Sequence, residues 1–145
     1  MRKIFRVGLA LVFVACLSLN ALPMIAEAGG TYSPVAYSFE YSEYGEYVDD
    51  FSYIEPKETT SSIRVENYSA SRDYHVIAYG AYSAEQGSPL YDASGGNAVY
   101  FYAGGYQDRK LTNYVVEWGY CATAIRGIYQ GDSVFSATGC FTPDY

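Results

Sequence analysis

His75 is the single histidine of the chain and stands two positions after Asp73. Serines are plentiful, so a Ser/His/Asp nucleophile would have to be built on this imidazole. The sequence has no Gly-x-Ser-x-Gly turn to present such a serine. On an alternating strand His75 shares a face with Ile77 and Tyr79, which makes it a structural strand side chain rather than a base. Carboxylate chemistry asks for less, because two acids about 5–10 Å apart suffice for glycoside hydrolysis. Glu66, Glu117 and Asp132 lie on or beside expected strands. Glu117 is embedded in Val115-Val116-Glu117-Trp118, where alternation alone predicts an outward polar residue. So short a chain leaves little room for a deep cleft. The expectation is a protein that is not an enzyme and has no catalytic residue.

Metal and cofactor sites have equally little support. One histidine supplies no zinc set. Asp92-Ala-Ser-Gly-Gly-Asn97 is rich in oxygen donors, but Ala103 occupies the position where a calcium loop of the EF-hand type carries its bidentate glutamate. The turn chemistry of Gly, Asn and Asp explains this segment as a plain loop. No metal and no cofactor is expected. Asn67-Tyr68-Ser69 matches a glycosylation sequon, which matters only in a eukaryotic secretory pathway.

The first residues indicate where the remainder works. Arg2, Lys3 and Arg6 precede an apolar run that ends at Ala26-Glu27-Ala28. This reads as a signal peptide over residues 1–28, cleaved after Ala28 with Ala26 and Ala28 as the small residues of the site. An alternative is lipidation at Cys16 within Val14-Ala15-Cys16, although Phe13 stands where such a site usually has leucine. A secreted, extracellular chain over residues 29–145 is expected, with no transmembrane segment after cleavage. That part keeps six basic residues against fifteen acids, a net charge of −9. Such a surface repels phosphates and anionic headgroups, so nucleic acid is excluded as a partner and glycans or proteins remain. Cys121 and Cys140 are its two cysteines. In an exported chain they suggest one disulfide, worth roughly 3 kcal/mol by loop entropy. The rival reading is two free thiols in a cell that exports its proteins reduced.

Composition then dictates how any of these residues is positioned. All 18 tyrosines lie beyond the leader, whereas Leu90 and Leu111 are the only leucines there. Tyrosine, valine, threonine and isoleucine suit pleated surfaces, and the glycines supply turns. The expected fold is all-β: a small antiparallel β-sandwich or barrel of about five to seven strands. Residues 29–60 read as an acidic, tyrosine-rich arm or edge strand plus a linker, and 61–145 as the β-domain. Tyr37, Phe39 and Tyr41 alternate with Ser38, Glu40 and Ser42, which is strand periodicity. The phase breaks at Glu43, Glu55-Pro56 ends the segment, and Lys57–Ser62 reads as a polar linker. Ser62–Tyr68 and Tyr74–Tyr82 read as a hairpin. Ala98–Tyr106 is expected as a strand, Gln107–Lys110 as a turn, Thr112–Tyr129 as one bent strand or two, and Ser133–Phe141 as the last strand.

For function, the sequence favours a secreted module that binds a cell-wall glycan or a surface protein. Exposed tyrosine and tryptophan on a rigid scaffold give large contact area at low entropic cost. The candidate surface is Tyr37, Tyr41, Tyr44, Tyr47 and Trp118. Two other readings stay open. One is a secreted antagonistic protein similar in plan to small bacteriocin-like β-sandwich proteins. The other is a self-associating matrix component whose flat aromatic strands pair edge to edge.

Overall fold

The computed structural model describes residues 33–42 and 47–145. Ala26, Ala28, Cys16 and Tyr44 lie outside the described residues. The chain forms β1 (Val35–Tyr41), β2 (Tyr47–Asp49), β3 (Glu55–Pro56), β4 (Ile63–Ala70), β5 (Tyr74–Ala81), β6 (Tyr91–Asp92), β7 (Val99–Phe101), β8 (Gln107–Leu111), β9 (Ala122–Ile128) and β10 (Phe135–Thr142). The strand number exceeds the expected range because several strands are only two or three residues long. The protein is all-β, and among the described residues it has no helix.

The strands form two antiparallel sheets that are not closed into a barrel. The first has the order β2-β1-β10-β4-β8, and the second β3-β9-β5-β6 with β7 also on β5. β6 and β7 share one edge of β5: Tyr91 and Asp92 pair with Gly80 and Tyr79, while Val99–Phe101 pair with Val76–Tyr74. β1 is an interior strand, paired with β10 along its whole length and with β2 at its end. The register with β2 shifts between Glu40 and Tyr41, just before the break in alternation at Glu43.

The inner faces meet in one apolar core. Phe39, Ile63, Val65, Phe135 and Phe141 come from the first sheet, and Tyr74, Val76, Ala78 and Ile125 from the second. Tyrosine fills this thin core because its hydroxyl can be satisfied inside it. Tyr37 lies 3.0 Å from the Tyr74 hydroxyl, which donates to Asn67 Oδ1 at 3.0 Å. Asn67 Nδ2 in turn donates to the Gly105 carbonyl. Asn67 is therefore fully buried, and the sequon asparagine is a core residue rather than a surface acceptor. Gly127 is required by packing, since the ring of Phe39 occupies the space a Cβ would take.

Three sequence expectations fail here for identifiable reasons. β4 and β5 are not a hairpin but belong to different sheets. Between them, Ser71 donates its N–H to Ser136 O and accepts from Ser136 N–H at its Oγ, both at 2.9 Å. The corner is thus pinned to β10. Gln107–Lys110 is strand, not turn: its charged residues suit the exposed edge position of β8. In the expected long strand, Val115–Gly119 is a turn, closed by Gly119 at φ 87°.

The expected polar linker after Pro56 also differs. Lys57 is 1% exposed, with its Nζ 3.2 Å from Asp144 Oδ1. Nζ also donates to the carbonyls of Ser61 (2.8 Å) and Pro143 (2.7 Å). Asp144 accepts the backbone N–H groups of Glu58 and Thr59 and the Thr59 hydroxyl. A buried charge is tolerated only with such full pairing. Burial lowers the Lys57 pKa, and the attraction of Asp144 opposes that shift.

Candidate functional site

The predicted aromatic surface is largely dispersed. Tyr37 is buried and stacks on Phe39 at 4.6 Å. Tyr41 is half-buried, edge-on to Tyr129. Tyr47 lies in β2, and Tyr44 is outside the described residues. Of Tyr37, Tyr41 and Trp118, the candidates whose side chains are described, Trp118 is the exposed one, at 50% accessible.

Trp118 has companions that the sequence reading did not select. It stacks on Tyr114 with ring centroids 5.4 Å apart and planes at 14°. Tyr82, Tyr91 and Tyr120 form a trio beside β5: Tyr91 stacks on Tyr120 at 5.7 Å, and Tyr82 meets Tyr120 at 4.9 Å and Tyr91 at 5.8 Å. Tyr82 is 67% exposed. The Tyr120 ring fits there because Gly80 offers no side chain.

Backbone hydrogen bonds hold the loops that carry these rings. Tyr114 N–H donates to Ala93 O, Tyr120 N–H to Val115 O and Cys121 N–H to Ala81 O. Val115 is buried and anchors the turn, and its N–H reaches Asn113 Oδ1. On the neighbouring loop, Asp92 Oδ1 accepts Ser94 N–H, and Ser94 Oγ accepts Gly96 N–H. Asp92 Oδ1, Ser94 Oγ and Ser94 O are thus engaged in the turn itself, and Gly95 lies under the Tyr114 ring. Among the described residues no group of three His, Cys, Asp or Glu could hold a metal ion.

A second aromatic feature occupies the other end of β5. A cleft of about 310 Å³ is bordered by Asp73, His75, Tyr100, Tyr102 and Gln130. The His75 ring lies 5.4 Å from that of Tyr100, and burial lowers its pKa. Asp73 is occupied in holding Ala103 N–H at 2.7 Å. Gln107 clamps Tyr102 by bonding both its N–H and its carbonyl.

The three candidate carboxylates sit on three elements: Glu66 on β4, Glu117 in the Val115–Gly119 turn and Asp132 between β9 and β10. Glu66 accepts the Tyr106 hydroxyl at 2.7 Å and faces Arg64 at 3.4 Å. The cysteines correct another expectation, since both are free thiols. Cys121 precedes β9 in the second sheet, while Cys140 lies on β10 in the first, so they are not on neighbouring strands. The exposed Cys121 thiol donates to Tyr82 O. The buried Cys140 thiol donates to Glu66 Oε2 at 3.3 Å and lies 3.0 Å from the Tyr68 hydroxyl. Burial raises its pKa.

Comparison with protein-family models, with curated proteins and with solved structures returns no match. No helix among the described residues is long and apolar enough to cross a membrane.

Proposed function

We propose that this chain is a secreted, non-catalytic binding module that contacts a cell-wall glycan, or a protein on a cell surface, through the aromatic loops around Trp118. The observation that carries this reading is the Trp118–Tyr114 stack, whose Trp118 ring is half exposed, on the same 112–121 loop that supplies Tyr120 to the Tyr82–Tyr91–Tyr120 trio. Tyr82, Tyr91, Tyr114 and Trp118 each keep more than a third of their surface exposed, apolar area that water disfavours and a ligand can cover. Flat ring faces suit the C–H faces of sugars, and the phenol hydroxyls suit their hydroxyl groups. The strongly acidic composition favours neutral or cationic partners over nucleic acid.

The test is retention on isolated peptidoglycan or wall polysaccharide, with Trp118→Ala as the variant. Retention of the native protein should fall roughly fivefold or more on substitution, the scale of an aromatic contact residue. The fold should survive, since the ring is half exposed. No retention on any cell-envelope fraction, or equal retention by Trp118→Ala, overturns the reading.

A further inference from the structure

We propose that Lys57 and Asp144 become covalently joined after folding, by an amide between Lys57 Nζ and Asp144 Cγ. The geometry sets this pair apart. Both side chains are fully removed from solvent, with Nζ 3.2 Å from Oδ1. The other ion pairs recorded among the described residues keep 15–37% of each side chain exposed. Holding the two groups in contact turns a bimolecular condensation into a unimolecular one.

The carboxyl is also gripped as a reacting acyl group would need to be. Thr59 presents its hydroxyl to Oδ1 at 2.7 Å and its N–H at 3.1 Å, while Glu58 presents its N–H to Oδ2 at 3.3 Å. In water, an ammonium and a carboxylate do not condense, because each is held in its charged form. In a buried site the neutral pair gains on the ion pair. A proton passing from Nζ to Oδ1 along their contact gives an amine and a carboxylic acid. The downward pull of burial on the Lys57 pKa is in the direction this transfer needs.

The step then balances without an oxidant or reductant. The amine lone pair forms the Nζ–Cγ bond, and the charge that develops on Oδ2 meets Glu58 N–H. The Cγ–Oδ1 bond breaks. Oδ1 leaves as water, carrying the acid hydrogen and one of the two amine hydrogens. Thr59 Oγ1, which lies 2.6 Å from Ser61 Oγ, is placed to relay that second hydrogen. The remaining amide N–H keeps one of the two carbonyl acceptors, Ser61 O or Pro143 O, that now hold Nζ.

The link would tie the segment after β3, in the second sheet, to the segment after β10, in the first. Its partners are 87 positions apart in sequence. It would thereby supply a covalent staple in a chain whose Cys121 and Cys140 are free thiols.

The test is mass spectrometry of the intact folded protein after denaturation, followed by peptide mapping. The native chain should weigh one water less than the sum of the residues it retains, and digestion should yield one branched peptide containing Lys57 and Asp144. Lys57→Arg and Asp144→Ala should each have the full mass of their retained residues, a readout that does not depend on their folding. A native chain with the full mass of its retained residues overturns the proposal. So does a water loss that persists in Lys57→Arg, since the lost water would then come from another site.

Discussion

The two sheets share a core yet finish their outer faces in opposite ways. On the first, Arg64 donates to Asp108 through Nε (3.1 Å) and Nη2 (2.7 Å), and Glu66 collects Tyr106 and Cys140. This face is polar, wired across β4, β8 and β10, and reached by water. On the second, the chain before β3 lies along β9, with Ser52 N–H on Ile125 O and Gly127 N–H on Asp50 O. Phe51 then packs edge-on against Tyr79 with Arg126 over its ring, and Ile54 buries itself against Ala81, Ala122 and Ala124. Gln86, from the loop after β5, bonds both the N–H and the carbonyl of Ile54. One sheet finishes its outer surface with charge, and the other grows a second small core by recruiting remote chain. Exposed ion pairs add little net stability, whereas apolar burial adds about 25 cal/mol per Å². The second face should therefore matter far more to stability.

Substitutions can break that contrast. The largest effect should come from Ile54→Ala, which empties the satellite core; urea unfolding should show a loss of about 2–4 kcal/mol. A value near zero would mean that the covering segment contributes nothing. Gln86→Ala should cost about 1 kcal/mol, the worth of its paired backbone bonds, with faster hydrogen exchange at the Ile54 amide. The smallest effect belongs to the polar face. Arg64 holds the Asp108 carboxyl below its ordinary pKa by hydrogen bonding. A depressed carboxylate stabilises the fold above its unfolded pKa and loses that contribution as pH falls through the folded value. Asp108→Asn should flatten the stability curve in that acidic range, and added salt should shrink the difference. An effect larger than that of Ile54→Ala would invert the comparison.

What the sequence made legible follows the same division. Alternation identified β1 and β4, because much of one face of each is core and the other is partly open to water. It correctly placed Tyr37 and Phe39 on one side but could not say that this side was the interior. Tyrosine is at home in both settings, so the candidate surface drew in a core residue. Trp118 was legible as a large aromatic contact residue. Tyr82, Tyr91, Tyr114 and Tyr120 were missed because they come together across loops separated in sequence, and Gly80 and Gly95, which admit two of these rings, give no local signal. Lys57 was misread for a similar reason: its partner is Asp144, and nothing near residue 57 announces it. The disulfide expectation rested on compartment alone, and the pairing of strands that leaves Cys121 on the exposed surface and Cys140 buried cannot be read from two cysteine positions.

The pairing of β10 between β1 and β4 also sets the timing of folding. Val35 meets Phe141, and Phe141 meets Val65, so the strand that occupies the centre of the first sheet is made after both of its neighbours. A chain stopped before Phe135 has β1 and β4 with no common neighbour and an inner layer with no middle. Folding is consequently a whole-chain event governed by distant contacts, which are slow to form. Until β10 arrives, the facing edges of β1 and β4 remain available to other chains.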